Sequence, residues 1–516
     1  MRLNILKSIP LIACFMACED EPKVMLDILS SDASLNSDLT MPSYTDGSLD
    51  QMIDQDVAIY DQEASFDQGT DLEVDGEIMD ASHPSRPHPP LTSTLTQPSN
   101  FTWGRGLIHM HSVHSHDACD GDPKPNGLPN LPCLQDLRAA VCSSRLDFML
   151  LTDHPVSFMD VDFVEATLYN AASGDRLIYN SEGLVIGNRL KCSDDHEVLI
   201  APGTESALMP VMLTQKPENP NWHGTRAPES VRGLREAGAV VLHAHTEQRT
   251  FEELWPLGLD GFEIYNLHAN VNPRGEQLRE VITDLTTTLR AGSTGPHPDL
   301  SLLAILRENR WALSMWDLFI PHTRALGFAG SDIHQNLPPR LFQTYDGERL
   351  DSYRRLTRWF ANYVLLEERS LDGLRAALLA GRLYTVFHLL GEPEGIDFYA
   401  DNGEGARYEM GSELTFQEGI TVHIHPPSPP AGSEINVRVY RISTREETAQ
   451  PGDEVEKTLL VESMNTNPIA VEVDQPGAYR VEISQTPIHL RAELGTLAEL
   501  LIRPTIWIYS NPIYVR

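Results

Sequence analysis

Basic residues are scarce in this chain of 516, where 39 Lys and Arg stand against 74 Asp and Glu for a formal net charge of −35. That deficit argues against a nucleic-acid partner, because contacts to a phosphate backbone depend on clustered Lys and Arg. Long apolar runs are missing too, and no stretch approaches the ~20 residues needed to span a bilayer. Cysteine is rare, six in all. The spacing of the four in the body of the chain, Cys119, Cys133, Cys142 and Cys192, does not match a zinc–thiolate site. What is there is ordinary globular material, 41% apolar and 22% charged. The length allows two to four domains at roughly 100–200 residues each.

The amino terminus has a recognisable layout. Arg2 and Lys7 form a positive segment, and Ile9 to Ala17 form an apolar run too short to cross a membrane. This is the arrangement of a secretory signal. Two tetrapeptides, Leu11-Ile12-Ala13-Cys14 and Phe15-Met16-Ala17-Cys18, resemble a bacterial lipobox. Cys18 is preferred because it leaves the longer apolar run and is followed at once by Glu19-Asp20-Glu21; Cys14 is the alternative. The expectation is a lipoprotein signal over 1–18 and export to the periplasm or cell surface. A lipid on Cys18 would hold the protein to a bacterial membrane.

Residues 19–80 carry 18 Asp or Glu and one basic residue, Lys23, a local charge of −17. Like charges repel, and the few apolar residues offer too little burial to offset chain entropy. With the Pro/Ser/Thr-rich stretch that follows to residue 100, the segment reads as a disordered tether. In an exported protein, four cysteines in the body imply up to two disulfides, with three possible pairings.

From residue 101 short apolar runs alternate with helical stretches, the pattern of an α/β protein. Many of these runs deliver an imidazole or a carboxylate at their carboxy end. Leu107-Ile108 leads into His109-Met110-His111, and Phe148-Met149-Leu150-Leu151 into Thr152-Asp153-His154. Val198-Leu199-Ile200 precedes Glu205, and Val240-Val241-Leu242 runs into His243-Ala244-His245. Phe262-Glu263-Ile264-Tyr265-Asn266 is another short strand, and Ala325 to Ala329 lead to Asp332 and His334. Active sites of strand–helix barrels lie at that end of the strands. Gathering so many imidazoles and carboxylates in one place is costly unless cations neutralise them. The mixture suits zinc, manganese or iron better than an all-oxygen site would. Residues one position apart on a strand, such as His109 and His111, point to the same side and can grip one ion. Glu205 can bridge two.

In order, HMHSVHSHD, LLTDH, APGTE, VVLHAH, DGFEIYN and AGSDIH resemble the motifs of the polymerase-and-histidinol-phosphatase (PHP) superfamily, over residues 104 to about 386. The resemblance implies a distorted barrel of seven strand–helix units. It also implies two or three divalent metal ions and hydrolysis of phosphoesters by a metal-activated hydroxide. Carried over by position, the implied ligands are His109, His111, His154, Glu205, His245, Asp332 and His334. The ligand after the first motif falls on His116 or Asp117, with His116 preferred, and His243 competes with His245. Asp153 and His245 are the candidate catalytic proton carriers. Glu263 is either a ligand or a hydrogen-bond acceptor for one. Arg274 and Arg340 follow two of the motifs and are candidates for holding an anionic substrate.

Beyond residue 390 helices give way to alternating strands, as in Ile435, Val437 and Val439 facing one way and Asn436, Arg438 and Tyr440 the other. The expectation is a β-sandwich over 390–516 after a hydrolase domain over 101–389. The expected activity is that of a metal-dependent phosphoesterase acting on a small molecule. The same site acting on carbon esters, carbamates or amides is the alternative, as is a non-catalytic surface binding protein.

Overall fold

Each short apolar run that ends in a chemically active residue is a strand. The protein is described from a computed structural model covering residues 86–97, 100–271, 276–337, 343–445 and 450–516, with backbone alone at 268, 271 and 276–282. The expected signal, Cys14, Cys18 and residues 19–85 of the expected tether lie outside the described residues, as do Arg274 and Arg340. Residues 86–97, also expected to be tether, pack on the body, where buried Thr92 donates to Asp147 Oδ2 at 2.7 Å.

The first eleven strands are β1 Thr102–Met110, β2 Phe148–Leu151, β3 Arg176–Tyr179, β4 Val185–Lys191, β5 Glu197–Ala201, β6 Met209–Val211, β7 Val240–His243, β8 Gly261–Asn266, β9 Leu326–Ile333, β10 Ala361–Leu366 and β11 Leu383–Val386. Six of them lie side by side and parallel in the order β5, β2, β1, β9, β8, β7. Parallel strands are covered on both faces and so need continuous apolar sequence. Accordingly every residue of β2, β7, β8 and β9 is buried. Because the six run the same way, their carboxy ends share one edge, and the residues that follow them meet there. Strand β10 pairs antiparallel with the first half of β1, and the β3–β4 hairpin extends the sheet beyond β5.

The helices follow local chemistry. Ser370 accepts a hydrogen bond from Gly373 N at 3.0 Å and caps Leu371–Ala380, which Gly381 ends in the left-handed conformation at φ 72°. The helix Leu131–Ser143 starts where Asn130 caps it by accepting from Cys133 N. Two disulfides staple this helix, Cys119–Cys133 at its start and Cys142–Cys192 at its end. Among the described residues no helix is long and apolar enough to cross a membrane.

Hydrogen bonding does not stop at residue 390. Ten further strands follow: β12 Asp397–Asp401, β13 Arg407–Glu409, β14 Glu413–Leu414, β15 Thr421–His425, β16 Glu434–Thr444, β17 Val455–Ser463, β18 Ile469–Glu472, β19 Gly477–Thr486, β20 Thr505–Ser510 and β21 Ile513–Val515. Strands β13, β12, β15 and β18 make a separate four-stranded antiparallel sheet. The others join the large sheet through β20, which pairs with β11. The seam is polar but satisfied. Asn511 accepts from Gly327 N at 2.7 Å and donates to Leu383 O at 2.8 Å. Buried Arg480 donates to both oxygens of Asp317, at 3.0 and 2.9 Å.

Candidate metal centre

Alternation alone would aim His109 and His111 in one direction, but the backbone does something more specific. The register of β1 against both β2 and β9 shifts between Ile108 and Met110. His109 sits in this bulge with φ 66°. A bulge bends a strand and re-aims a side chain. His245 and Asp332 also occupy left-handed conformations, at φ 50° each. Such conformations are unfavourable for non-glycine residues and persist where the surrounding structure enforces them. Three strand ends are thus turned inward, and that turning brings their side chains together.

Among the described residues three donor groups result: His109, His111 and Asp332; His109, Glu205 and His245; and His111, Asp117, His154 and His334. Within each group the donor atoms lie within 4.8 Å of one another. The first two share His109, and the first and third share His111. Asp332 Oδ1 lies 3.3 Å from His109 Nε2 and 3.5 Å from His111 Nε2. His245 Nε2 is 3.4 Å from Glu205 Oε1 and 3.6 Å from Asp332 Oδ2. Asp117 Oδ2 is 3.0 Å from His334 Nε2 and 3.2 Å from His154 Nε2.

These separations fit shared cations. With bonds of ~2.0–2.1 Å, donors along the edge of a tetrahedral site are about 3.3 Å apart. The Nε2 atoms of His109 and His111 are buried and make no hydrogen bond, a condition that costs about 1–3 kcal/mol for each such atom unless something else engages it. The opposite nitrogens are held. Nδ1 of His109 donates to Glu263 Oε1 at 2.8 Å, and Nδ1 of His111 is 3.0 Å from Ser115 Oγ. Fixing Nδ1 in this way presents Nε2 to an ion.

The electrostatics follow from crowding. Burial alone would lower the His109 pKa, but Asp332 and Glu263 outweigh it and raise it to about 10. His111 goes the other way, to about 3, through burial and the neighbouring His334. His154 rises to about 9 because Asp117 and Glu205 overcome its burial. Burial works against the charge of Glu205, yet His245 and His109 hold its pKa at about 2.

The remaining expected residues are placed as follows. His116 is exposed, its ring resting 4.8 Å from that of His154, and Asp117 supplies the donor instead. The turn closed by Ala118 N donating to Ser115 O carries His116 outward, and Ser115 Oγ donates to Asp117 Oδ1 at 2.9 Å. Asp153 belongs to none of the three groups. Its oxygens accept from Ser112 N at 2.6 Å and Ser112 Oγ at 2.8 Å, while burial, opposed by these bonds, lifts its pKa to about 6. Through these bonds it clamps the loop after β1. His243 is buried and belongs to none of the three donor groups; burial, followed by Arg226 and Arg249, presses its pKa to about 3. Glu263 is an acceptor: besides His109 it takes the backbone N–H of His245 at 2.7 Å and Asn266 Nδ2 at 3.1 Å.

No protein-family profile matches the chain, and no curated protein sequence matches it. Among solved structures it resembles a two-domain protein from Bacteroides vulgatus that contains a predicted PHP-like metal-dependent phosphoesterase. That match is 14% identical, covers 83% of this chain and 100% of the other, and has a TM-score of 0.32. The PmoD soluble domain from Methylocystis matches over 23% of this chain and 90% of its own, at 14% identity and a TM-score of 0.15. At these scores the geometry, not the likeness, carries the functional reading.

Sequence reasoning missed several supporting residues. Tyr353 Oη donates to His111 O at 3.1 Å and His334 O at 3.3 Å, tying two donor segments together. His223 Nδ1 lies 2.7 Å from Thr204 Oγ1, beside Glu205. Neither stands near a motif in sequence. Ser112 and Ser115 do, inside the first motif, and there the signal was available.

Proposed function

We propose that this chain is a metal-dependent hydrolase, a phosphoesterase with two or three divalent ions of zinc, manganese or iron. One observation carries the reading: donors from remote parts of the sequence converge in three overlapping groups that share His109 and His111. Each Nε2 can bind one ion, so His109 and His111 with Asp332 would hold one, Glu205 and His245 would contribute to a second, and Asp117, His154 and His334 to a third. When bound, such ions lower the pKa of water and stabilise charge on a leaving oxygen. The chain's own residues prepare the site. Glu263 fixes the His109 tautomer, Asn266 spans Glu263 and Asp332, and Asp153 holds the loop that carries His111.

The finer fold reading is a distorted barrel of the PHP type. Thr204 N donates to Pro210 O and Leu213 N to Pro202 O, linking the segment after β5 to β6, and these bonds support closure. The strands after residue 390 are read as a β-sandwich joined to it by the pairing of β20 with β11. Export with a lipid anchor on Cys18 belongs to the same proposal, and the two disulfides support an oxidising compartment.

The test pairs metal content per chain with a substrate panel. Metal-loaded protein is expected to release phosphate or alcohol from a model phosphoester, with activity lost on chelation and reduced at least about 100-fold in Asp332→Ala. Loaded protein inert to phosphoesters but active on aryl esters would shift the reading to carbon-ester hydrolysis. Protein that takes up no metal would end it.

A further inference from the structure

Of the four donors in the group His111, Asp117, His154 and His334, three stand directly beside a regular element. His111 follows β1, His334 follows β9, and His154 precedes the short helix Pro155–Asp160. Asp117 alone lies within a loop. From Asp120 to Pro132 no residue is fully buried, so that stretch has little packing to hold it. Yet Cys119, two residues after Asp117, is buried, and it is bonded to Cys133 in the first turn of the helix Leu131–Ser143. The far end of that helix is bonded to Cys192, just past β4. Two covalent links and one helix therefore connect the Asp117 turn to the sheet. Cys119 and Asp120 both sit at positive φ, 57° and 62°, conformations that a loosened loop would leave.

Resting on the metal-centre reading above, we infer that the Cys119–Cys133 disulfide fixes Asp117 and makes retention of the ion at that corner depend on the bond being oxidised. Reduction by a dithiol breaks the S–S bond and gives two thiols, the reductant leaving as its own disulfide. The turn then keeps its weaker ties: Ser115 Oγ to Asp117 Oδ1 at 2.9 Å, Ala118 N to Ser115 O at 3.3 Å, Cys119 N to His334 O at 3.0 Å, Asp120 N to Gln335 O at 2.9 Å, and the Asp120–Arg349 pair at 2.7 Å. The other two donor groups contain no residue of this loop and keep their ions.

The experiment measures Mn²⁺ and, in parallel, Zn²⁺ per chain in the oxidised full-length protein, in Cys119→Ala/Cys133→Ala and in Asp117→Ala, with chelator-buffered titrations. The cysteine-pair variant is expected to bind its last ion at least tenfold more weakly than the wild type, and Asp117→Ala to behave like it. Equal affinity in wild type and pair variant, with the ion lost in Asp117→Ala, overturns the clamp and leaves the hydrolase reading intact. An Asp117→Ala chain that keeps the ion also overturns it. A wild type that binds neither metal overturns the metal centre and the clamp together. Should the pair variant fail to fold, amide exchange of the wild type with and without a dithiol decides instead. Exchange at residues 116–120 should accelerate at least tenfold while β2 and β9 stay protected, and unchanged exchange would refute the inference.

Discussion

The absence of a side chain at Gly330 is a condition for the centre. A Cβ built on Gly330 would stand 1.5 Å from Glu263 Oε1 and 3.1 Å from His109 Nδ1. No rotamer adjustment of a buried, triply bonded carboxylate absorbs that overlap, so Gly330→Ala is expected to destabilise the fold by about 1–3 kcal/mol and to break the Glu263–His109 bond. Denaturant midpoints together with metal content would show it, and a variant unchanged in both would refute the role. Glu263→Gln is gentler: the shape stays, but the acceptor weakens and the amide cannot satisfy every donor. Metal affinity should fall about 10–100-fold, with a stability loss of about 1–3 kcal/mol for the donor left unpaired. A titration giving wild-type affinity would mean that Glu263 is only structural. At this scale the sequence is partly legible. The strand-end residues His109, Glu205 and Asp332 stand out because polar groups that end apolar runs need a reason to be there. The choice between His116 and Asp117 is not legible, since it depends on which way one turn rotates. Nor is Asp153, whose oxygens are taken by Ser112.

Among the elements, the helix Arg310–Phe319 and β19 meet through a buried ionic cluster. Arg480 binds Asp317 and, at 2.5 Å, Glu482, which Lys457 approaches at 2.8 Å. Breaking a buried pair by removing one partner costs about 3–5 kcal/mol, so Arg480→Ala should unfold at markedly lower denaturant. The pH dependence has a definite sign. Burial opposes the charge of Glu482, but Arg480 and Lys457 prevail and its folded pKa is lowered. A depressed carboxylate contributes stability above its unfolded pKa of ~4.3 and loses it as pH falls through the folded value. Stability should therefore decline below about pH 4, and Glu482→Gln should flatten part of that decline; an identical slope would refute the assignment. The parallel strands are legible from the sequence because buried strands need unbroken apolar runs. The β3–β4 hairpin is not: β3 is partly exposed, and Arg176-Leu177-Ile178-Tyr179 lacks such a run. The bulge in β1 escapes for a different reason, because it is a property of pairing with β2 and β9 and leaves no mark on β1 alone.

Over the whole molecule, the carboxy-terminal strands complete the sheet that carries the donors. Strand β20 is buried throughout and pairs with β11, while Tyr514 Oη accepts from Ala325 N at 3.2 Å, at the root of β9. A chain ended at residue 390 would expose β11 as an open edge and leave Gly327 without Asn511. It is expected to be insoluble or to lack a cooperative unfolding transition, as calorimetry would show. A soluble, metal-binding truncation would establish that 101–389 stands alone. The sequence marks a change of pattern near residue 390, from helices to alternating strands. Which sheet those strands join is set by edge pairing, to which periodicity is blind.

One consequence concerns the order of synthesis. The aspartate shared between two of the imidazoles sits near the end of a strand whose root is held by side chains only a few positions from Arg516. A nascent polypeptide displays His109 and His111 long before Asn511 and Tyr514 have left the ribosome. Ions captured by those first imidazoles would meet an unfinished cage, so maturation of the centre belongs after translation, and after any transport of the unfolded chain, rather than during it.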